Sequence, residues 1–219
     1  MWCVARITAE YRERMYALLD LYAKDYNADE PVICLDEKSK QLLEDKRQPL
    51  AMEPGSPSKE DYEYTRKGTR NLFLAVEPKG GHREVSVTGR RTKKDFVAFV
   101  LYLLEVIYVS ARKVHLVVDN LNTHFAKCFI EVLGAEQAAL VLARIDFHYT
   151  PKHASWLNMA ELEIGVMEKQ CTGRRIATET ILEREVAAWQ QRRNMEKRGI
   201  QWKFTRQKAD QKLARHYVS

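Results

Sequence analysis

The run KVHLVVDN, residues 113–120, narrows the fold more than any other part of the chain. Between Val114 and Val118 only His115 is polar, so the run lacks the alternation of a strand with one wet face and is too short to be a helix. It reads as a strand buried on both sides, and its sheet must carry helices on both faces. The surrounding sequence supplies them. Residues 8–26 have helical spacing, and PVICLD (31–36) is a short strand-like run. NLFLAVEP (71–78) and REVSVTGR (83–90) flank Lys79-Gly80-Gly81-His82 as a β-hairpin. Thr92 and Asp95 have capping-box spacing ahead of FVAFVLYLLEVIYV (96–109), which reads as a buried core helix despite Glu105. FAKCFIEVLG and EQAALVLAR are short helices, IDFHYT (145–150) is another strand, and SWLNMAELEIGVMEKQ is a helix. The long stretch KSKQLLEDKRQPLAMEPGSPSKEDYEY reads as a surface loop because Pro49, Pro54, Gly55 and Pro57 cluster within it. Strand, hairpin, helix, strand, helix, strand, helix predicts an α/β domain with a mixed sheet.

At 219 residues the chain can bury a full core. No apolar run approaches the ~18 residues of a membrane span, and the amino terminus lacks an export pattern. Cys3, Cys34, Cys128 and Cys171 are scattered without metal-ligand spacing, which predicts reduced thiols and a cytoplasmic protein. The net charge of +6 is uneven: residues 169–219 hold 13 Lys/Arg against 5 Asp/Glu, and the remainder is slightly acidic. A basic tail with Trp189, Trp202, Phe204 and Tyr217 interleaved suits a polyanion. The same tail also fits a solvated helical face with its tryptophans packed inward.

Three acids stand at the ends or edges of predicted elements. Asp36 closes PVICLD, Asp119 closes VHLVVD, and Glu161 lies one turn into the helix after the last strand. Carboxylates placed this way converge at one end of a sheet and can hold divalent metals, hard oxygen donors being suited to Mg²⁺ or Mn²⁺. Glu163 competes with Glu161 for the third position, since two residues on a helix differ by about 200° and both cannot readily face one site. Glu37 points to the opposite face from Asp36 if the strand continues, as a structural or supporting group. Asn120 and His124 follow the second acid, where they either orient a bound water or phosphate or cap the loop. Lys152 and His153 lie on the loop entering the Glu161 helix, within reach of a phosphate at a helix N-terminus. Trp156, beside them, reads as a core residue ahead of a base-stacking platform.

The element order and the wording CLDE, LVVDNLNTH and FHYTPKHASWLNMAELE resemble the DDE transposase and retroviral-integrase superfamily, and within it the mariner-related insertion-sequence transposases of bacteria. The resemblance spans roughly residues 2–217. It implies an RNase H-like fold, a mixed five-stranded sheet flanked by helices, with a helical lead-in at 1–30, a catalytic domain at 31–171 and a basic helical extension at 172–219. Asp36, Asp119 and Glu161 match the family's catalytic and metal-binding acids, LNMAE standing where many relatives have Asn-Pro-Ile-Glu. The implied cofactor is a pair of Mg²⁺ or Mn²⁺ ions. The implied activity is phosphodiester hydrolysis at element ends followed by joining to a TA target. Partners would be double-stranded DNA bearing terminal inverted repeats and a second copy of the chain, a homodimer on DNA, with no membrane. Arg174, Arg175, Arg192 and Arg193, with Lys197 and Arg198, would contact phosphates and place the protein on the nucleoid. Relatives carry helix-turn-helix units before the catalytic domain, and the roughly 35 residues ahead of Asp36 are too few for one. The expectation is therefore a catalytic half, from a split frame, a truncated element or a trimmed chain, with a separate helix-turn-helix polypeptide as a possible partner. A non-catalytic DNA-binding or dimerising remnant, and a structure-directed nuclease on the same fold, are the competing functions.

Overall fold

A computed structural model describes residues 7–59, 61–121 and 123–217. Its centre is a five-stranded sheet in the order β3-β2-β1-β4-β5, formed by β1 (Val32–Asp45), β2 (Tyr64–Glu77), β3 (His82–Thr88), β4 (Val114–Val118) and β5 (Ile145–Tyr149). β1, β2 and β3 pair antiparallel, whereas β4 runs parallel to β1 and β5 parallel to β4. The mixed α/β sheet is the one expected.

Strand alternation divides the core into two layers. Ile33, Leu35, Phe73, Ala75, Leu116 and Val118 face α2 (Lys93–Tyr102), α3 (Ala126–Leu133) and α4 (Ala135–Leu142). Cys34, Leu72, Leu74, Val76 and Val117 face α1 (Ala9–Ala23), α5 (Met159–Met167) and α6 (Glu179–Glu196). Both faces of β4 are covered, which is why its apolar residues do not alternate. The capping box of Thr92 and Asp95 forms at the start of α2. Cys34, Cys128 and Cys171 are buried thiols, and Cys3 lies outside the described residues.

Three sequence readings are corrected. β1 does not stop at Asp36 but continues to Asp45, and β2 begins at Tyr64, so the surface loop shrinks to residues 46–63. Cross-strand pairing from Asp36↔Leu74 out to Asp45↔Tyr64 supplies the backbone hydrogen bonds that the polar sequence KSKQLLED does not advertise. The helix 96–109 is not buried throughout: after Tyr102 it continues as a π turn, Leu103–Ile107, with Val106 and Val109 exposed. Trp156 is 38% exposed and meets Phe204 edge-on at 5.3 Å.

The basic C-terminal segment packs against the rest. Leu182, Val186, Trp189 and Ala209 share one buried cluster with α1 and α5. Trp189 donates to Gln170 Oε1 at 3.0 Å, and Trp202 meets Tyr22 edge-on. α6 also covers the outer edge of β3, where Gln190 Oε1 accepts from the Val85 N–H at 2.7 Å and Asn194 bonds both backbone groups of Arg83 at 2.8 Å. An otherwise bare sheet edge is thereby satisfied. α7 (Arg206–Leu213) returns to α1, and Ile7 bridges to Tyr217.

Candidate active site

The parallel register pairs Cys34 with Val117. Two residues further along, Asp36 on β1 and Asp119 just past the end of β4 lie on the face that α5 covers, near enough for the Asp119 charge to raise Asp36. α5 is fixed there by Asn158. Its side-chain N–H₂ donates to the Leu35 carbonyl at 2.8 Å, and its Oδ1 accepts from the Ala160 N–H at 3.1 Å as the helix N-cap. Asn158 thus ties the first turn of α5 to the residue preceding Asp36, and Glu161 falls in that first turn. An Asn just before a helical run is a legible N-cap signal, but its second bond to β1 is not.

Asp36 registers the convergence. Burial pushes its carboxyl up to about 7 against the opposing hydrogen bond from the Glu37 N–H, and the negative charges of Asp119, Glu161 and Glu37 add to the rise. A buried carboxyl beside other carboxylates binds its proton more tightly until a cation joins the cluster.

Asp119 is also buried, which alone would raise it. It is nevertheless held below the ordinary carboxylate range by hydrogen bonds from His124 and the Leu121 N–H and by the charges of His124 and Arg91. His124 Nδ1 lies 2.6 Å from Asp119 Oδ1 and its Nε2 lies 2.7 Å from Glu37 Oε1. The ring is fully buried and rests on Phe96, with centroids 4.6 Å apart. Burial opposes its charge, but bonds to two carboxylates prevail and raise it to about 9. His124 is therefore an imidazolium donating from both nitrogens at neutral pH. Glu37, with its side chain 3% exposed, lies on the far face from Asp36 and orients His124. Asn120 accepts from Arg14 at 3.1 Å and donates to the Thr150 carbonyl, joining α1, the end of β4 and the loop after β5.

Glu163 occupies a different environment. Arg83 donates to it from Nε and Nη2 at 3.0 and 3.2 Å, and Arg193 from Nε and Nη2 at 2.9 and 3.3 Å. The glutamate is 2% exposed and the Arg83 side chain fully buried. Arg83 also donates to the carbonyls of Gly81 and Arg198. The knot requires glycine at 81: its φ is 72°, and a Cβ there would stand 2.7 Å from the Lys197 carbonyl oxygen. Neither Arg83 nor this use of Glu163 was legible, since the partners are 80 and 30 residues apart.

The basic candidates divide in the same way. Arg193 is turned inward to Glu163 with only 11% of its side chain exposed, which withdraws it from the phosphate-binding set. Arg175 is engaged with Asp45 Oδ1 at 2.6 Å and stacks over Tyr64, and Arg174 pairs with Glu185 at 2.6 Å. Lys152 and His153, with Arg192, Lys197 and Arg198, are exposed. His153 is held in the left-handed conformation, φ 61°, on the loop that leads into α5.

A family model described as DDE superfamily endonuclease matches residues 31–183. No curated protein matches the chain by sequence. Among solved structures, the fold is similar to that in the Mos1 mariner paired end complex with Mn, at TM-score 0.61 and 13% identity, covering 100% of this chain and 65% of that one. The Mos1 strand transfer complex matches at TM-score 0.60 and 14% identity over 95% and 61%, and the paired end complex with Mg at 0.53 and 14% over 100% and 66%. The chain thus spans about two thirds of the length of these structures, whose shared architecture agrees with the RNase H-like fold. Among the described residues, no helix is long and apolar enough to cross a membrane.

Proposed function

The chain belongs to the DDE superfamily of endonucleases, and from that premise we propose that it is the catalytic part of a transposase that cuts and joins DNA at the ends of a mobile element. The observation that supports the reading is placement: Asp36 on β1, Asp119 just past the end of the neighbouring β4, and Glu161 in the first turn of α5, near enough that the charges of Asp119 and Glu161 add to the burial that raises Asp36. Three carboxylates and no nitrogen or sulfur donor fit a hard divalent cation. Asp36, Asp119 and Glu161 would together hold a pair of Mg²⁺ or Mn²⁺ ions. When bound, the ions supply charge stabilisation for the attacking and leaving oxygens of phosphodiester displacement.

The chain's own groups set up that chemistry. The His124 imidazolium holds the Asp119 carboxylate ionised and aimed, and Glu37 fixes the ring from behind. Asn158 holds Glu161 against β1. Lys152 and His153 would receive a phosphate on the loop ahead of α5, and Arg192, Lys197 and Arg198 would contact the backbone further away. These phosphate contacts position a duplex without reading its sequence, so base recognition would come from helix-turn-helix units supplied elsewhere. By analogy with the paired end complexes, two copies would act together on two ends, and the target, as the family resemblance implies, would be a TA step.

The test is incubation with DNA carrying pre-cleaved terminal repeats in Mg²⁺. The expected result is Asp36-dependent nicking and strand transfer. Binding with neither cutting nor joining would favour an inhibitory remnant, and junction cutting without joining would favour a structure-directed nuclease.

A further inference from the structure

A second group of metal-ligating side chains lies on the same face of the sheet, away from the three acids. His115 on β4 is directly in register with Asp146 on β5, and His148 follows two residues later on the same face of β5. His115 stands four residues before Asp119, roughly 13 Å back along the strand at ~3.3 Å per residue. The three side chains present one donor atom each to a common point. His115 Nδ1 and His148 Nε2 are 3.0 Å apart, and Asp146 Oδ2 is 3.4 Å from the first and 3.6 Å from the second.

We propose that His115, Asp146 and His148 form a binding site for a borderline divalent transition metal, Zn²⁺ in the first instance, separate from the catalytic carboxylates.

The spacing is the main argument. Ligands about 2.0–2.1 Å from a tetrahedral Zn²⁺ are about 3.3 Å from one another, and the three observed separations bracket that value. An ion at that bond length from all three atoms would lie about 0.7 Å out of their plane, the height that tetrahedral geometry requires with a fourth ligand on the open side. A proton serves the cluster less well. It can join the two ring nitrogens, but Asp146 Oδ2 approaches those same nitrogens rather than the free ones, at distances too long for a good hydrogen bond. A cation satisfies all three donors at once. Two imidazoles and one carboxylate select Zn²⁺ and its neighbours over Mg²⁺, which prefers an all-oxygen site.

Position and exposure agree with binding. The ligands sit on two hydrogen-bonded strands, a rigid scaffold. The His115 and His148 side chains are 13% and 21% exposed and Asp146 is 47% exposed, so the site opens to solvent on one side. Glu30 adds favourable charge nearby, and Lys24 and Lys113 oppose it. A metal here would fasten the edge strand β5 to β4. The far ends of these two strands lead to Asp119 and to the loop that enters α5, so the ion would brace the catalytic end without touching it.

The experiment uses Co²⁺ as a spectroscopic probe on the full chain carrying Asp36→Asn and Asp119→Asn, in excess Mg²⁺, so that the catalytic acids cannot account for binding. The expected result is a visible band typical of tetrahedral Co²⁺ that saturates at one equivalent, is displaced by Zn²⁺, and disappears in His148→Gln. Zn²⁺ should raise the melting temperature of the parent and not of that variant. Asp146→Asn, at a half-exposed position that does not threaten folding, should weaken binding at least about tenfold. Absence of the band in the parent, or a band undiminished in Asp146→Asn, overturns the proposal. The failure of transposition activity would leave this site unaffected, since the readouts are metal binding and melting.

Discussion

Glu161 and Glu163 lie two residues apart in one helix and meet opposite electrostatic surroundings. The charge of Glu161 adds to that of Asp119 in raising Asp36, and Glu163 sits between two arginines that together over-neutralise it. The first region stores repulsion that a cation can discharge, and the second has already been discharged by the protein itself. A carboxylate that makes no ion pair among the described residues, at the meeting point of two strands and a helix, is one the fold leaves available for chemistry. A carboxylate enclosed by two guanidinium groups fastens α5 to β3 and α6 and is unavailable.

The comparison breaks or holds most visibly in the paired variants Glu161→Gln and Glu163→Gln. Glu161→Gln should lower Mg²⁺-dependent nicking by on the order of 10³-fold, because it removes an anionic ligand at almost constant volume. Its melting temperature should stay level or rise as crowding among the acids is relieved. Glu163→Gln should do the reverse. It leaves two arginines in the interior facing a neutral amide, a loss of about 3–5 kcal/mol, or roughly a 10 °C fall in melting temperature for a chain of this size. Nicking and thermal melting of the two proteins check both halves. Loss of nicking in a stable Glu163→Gln, with active Glu161→Gln, would exchange the two assignments.

A smaller effect follows from the proton that Asp36 retains. Its carboxyl is raised from 3.8 to about 7, so the folded protein binds this proton more tightly than the unfolded chain. Stability then falls as pH rises from about 4 to about 7 and is level above that. Asp36→Asn removes the titration. In chelator-treated protein it should be the more stable form at pH 8 by on the order of 2 kcal/mol, with the difference shrinking toward pH 4. Chemical denaturation at the two pH values measures it. An equal difference at both would mean that burial and its acidic neighbours do not raise Asp36, and the contrast with Glu163 would lose its basis.

The layered sheet was readable because it rests on local patterns: apolar runs, a hairpin turn, a capped helix; the three acids were singled out by the same kind of cue, an acid at the end or edge of such an element. The length of β1 was not, because residues 37–45 are polar and become a strand only through pairing with β2. The choice between Glu161 and Glu163 stayed open for the same kind of reason. Helical angle separates the two side chains but does not say which side holds arginines, and Arg83 reaches Glu163 from the β2–β3 hairpin. Likewise, Glu37 and His124 were separate candidates in sequence, and only the fold joins them directly and links Glu37 to Asp119 through His124.

The smallest effect separates two adjacent residues of α6. Arg192 is exposed and Arg193 is turned inward, largely buried, against Glu163, so charge is the same and location differs. If Arg192 meets a phosphate, Arg192→Ala should weaken duplex binding a fewfold, lower the slope of log affinity against log salt by about one, and leave melting unchanged. The loss should be equal for terminal-repeat and scrambled duplexes, because a phosphate contact carries no sequence information. Arg193→Ala should instead lower the melting temperature, since it leaves Glu163 with one partner, and below that temperature its salt slope should match the parent. Removing the whole segment after Gln170 cannot make this distinction, because Leu182, Val186 and Trp189 would leave the core with it. Point substitutions, with binding measured from low to physiological salt, keep the fold intact. A reduced slope in Arg193→Ala would mean that the guanidinium leaves its buried pair to meet DNA, and the partition of α6 into a fastening face and a DNA face would fail.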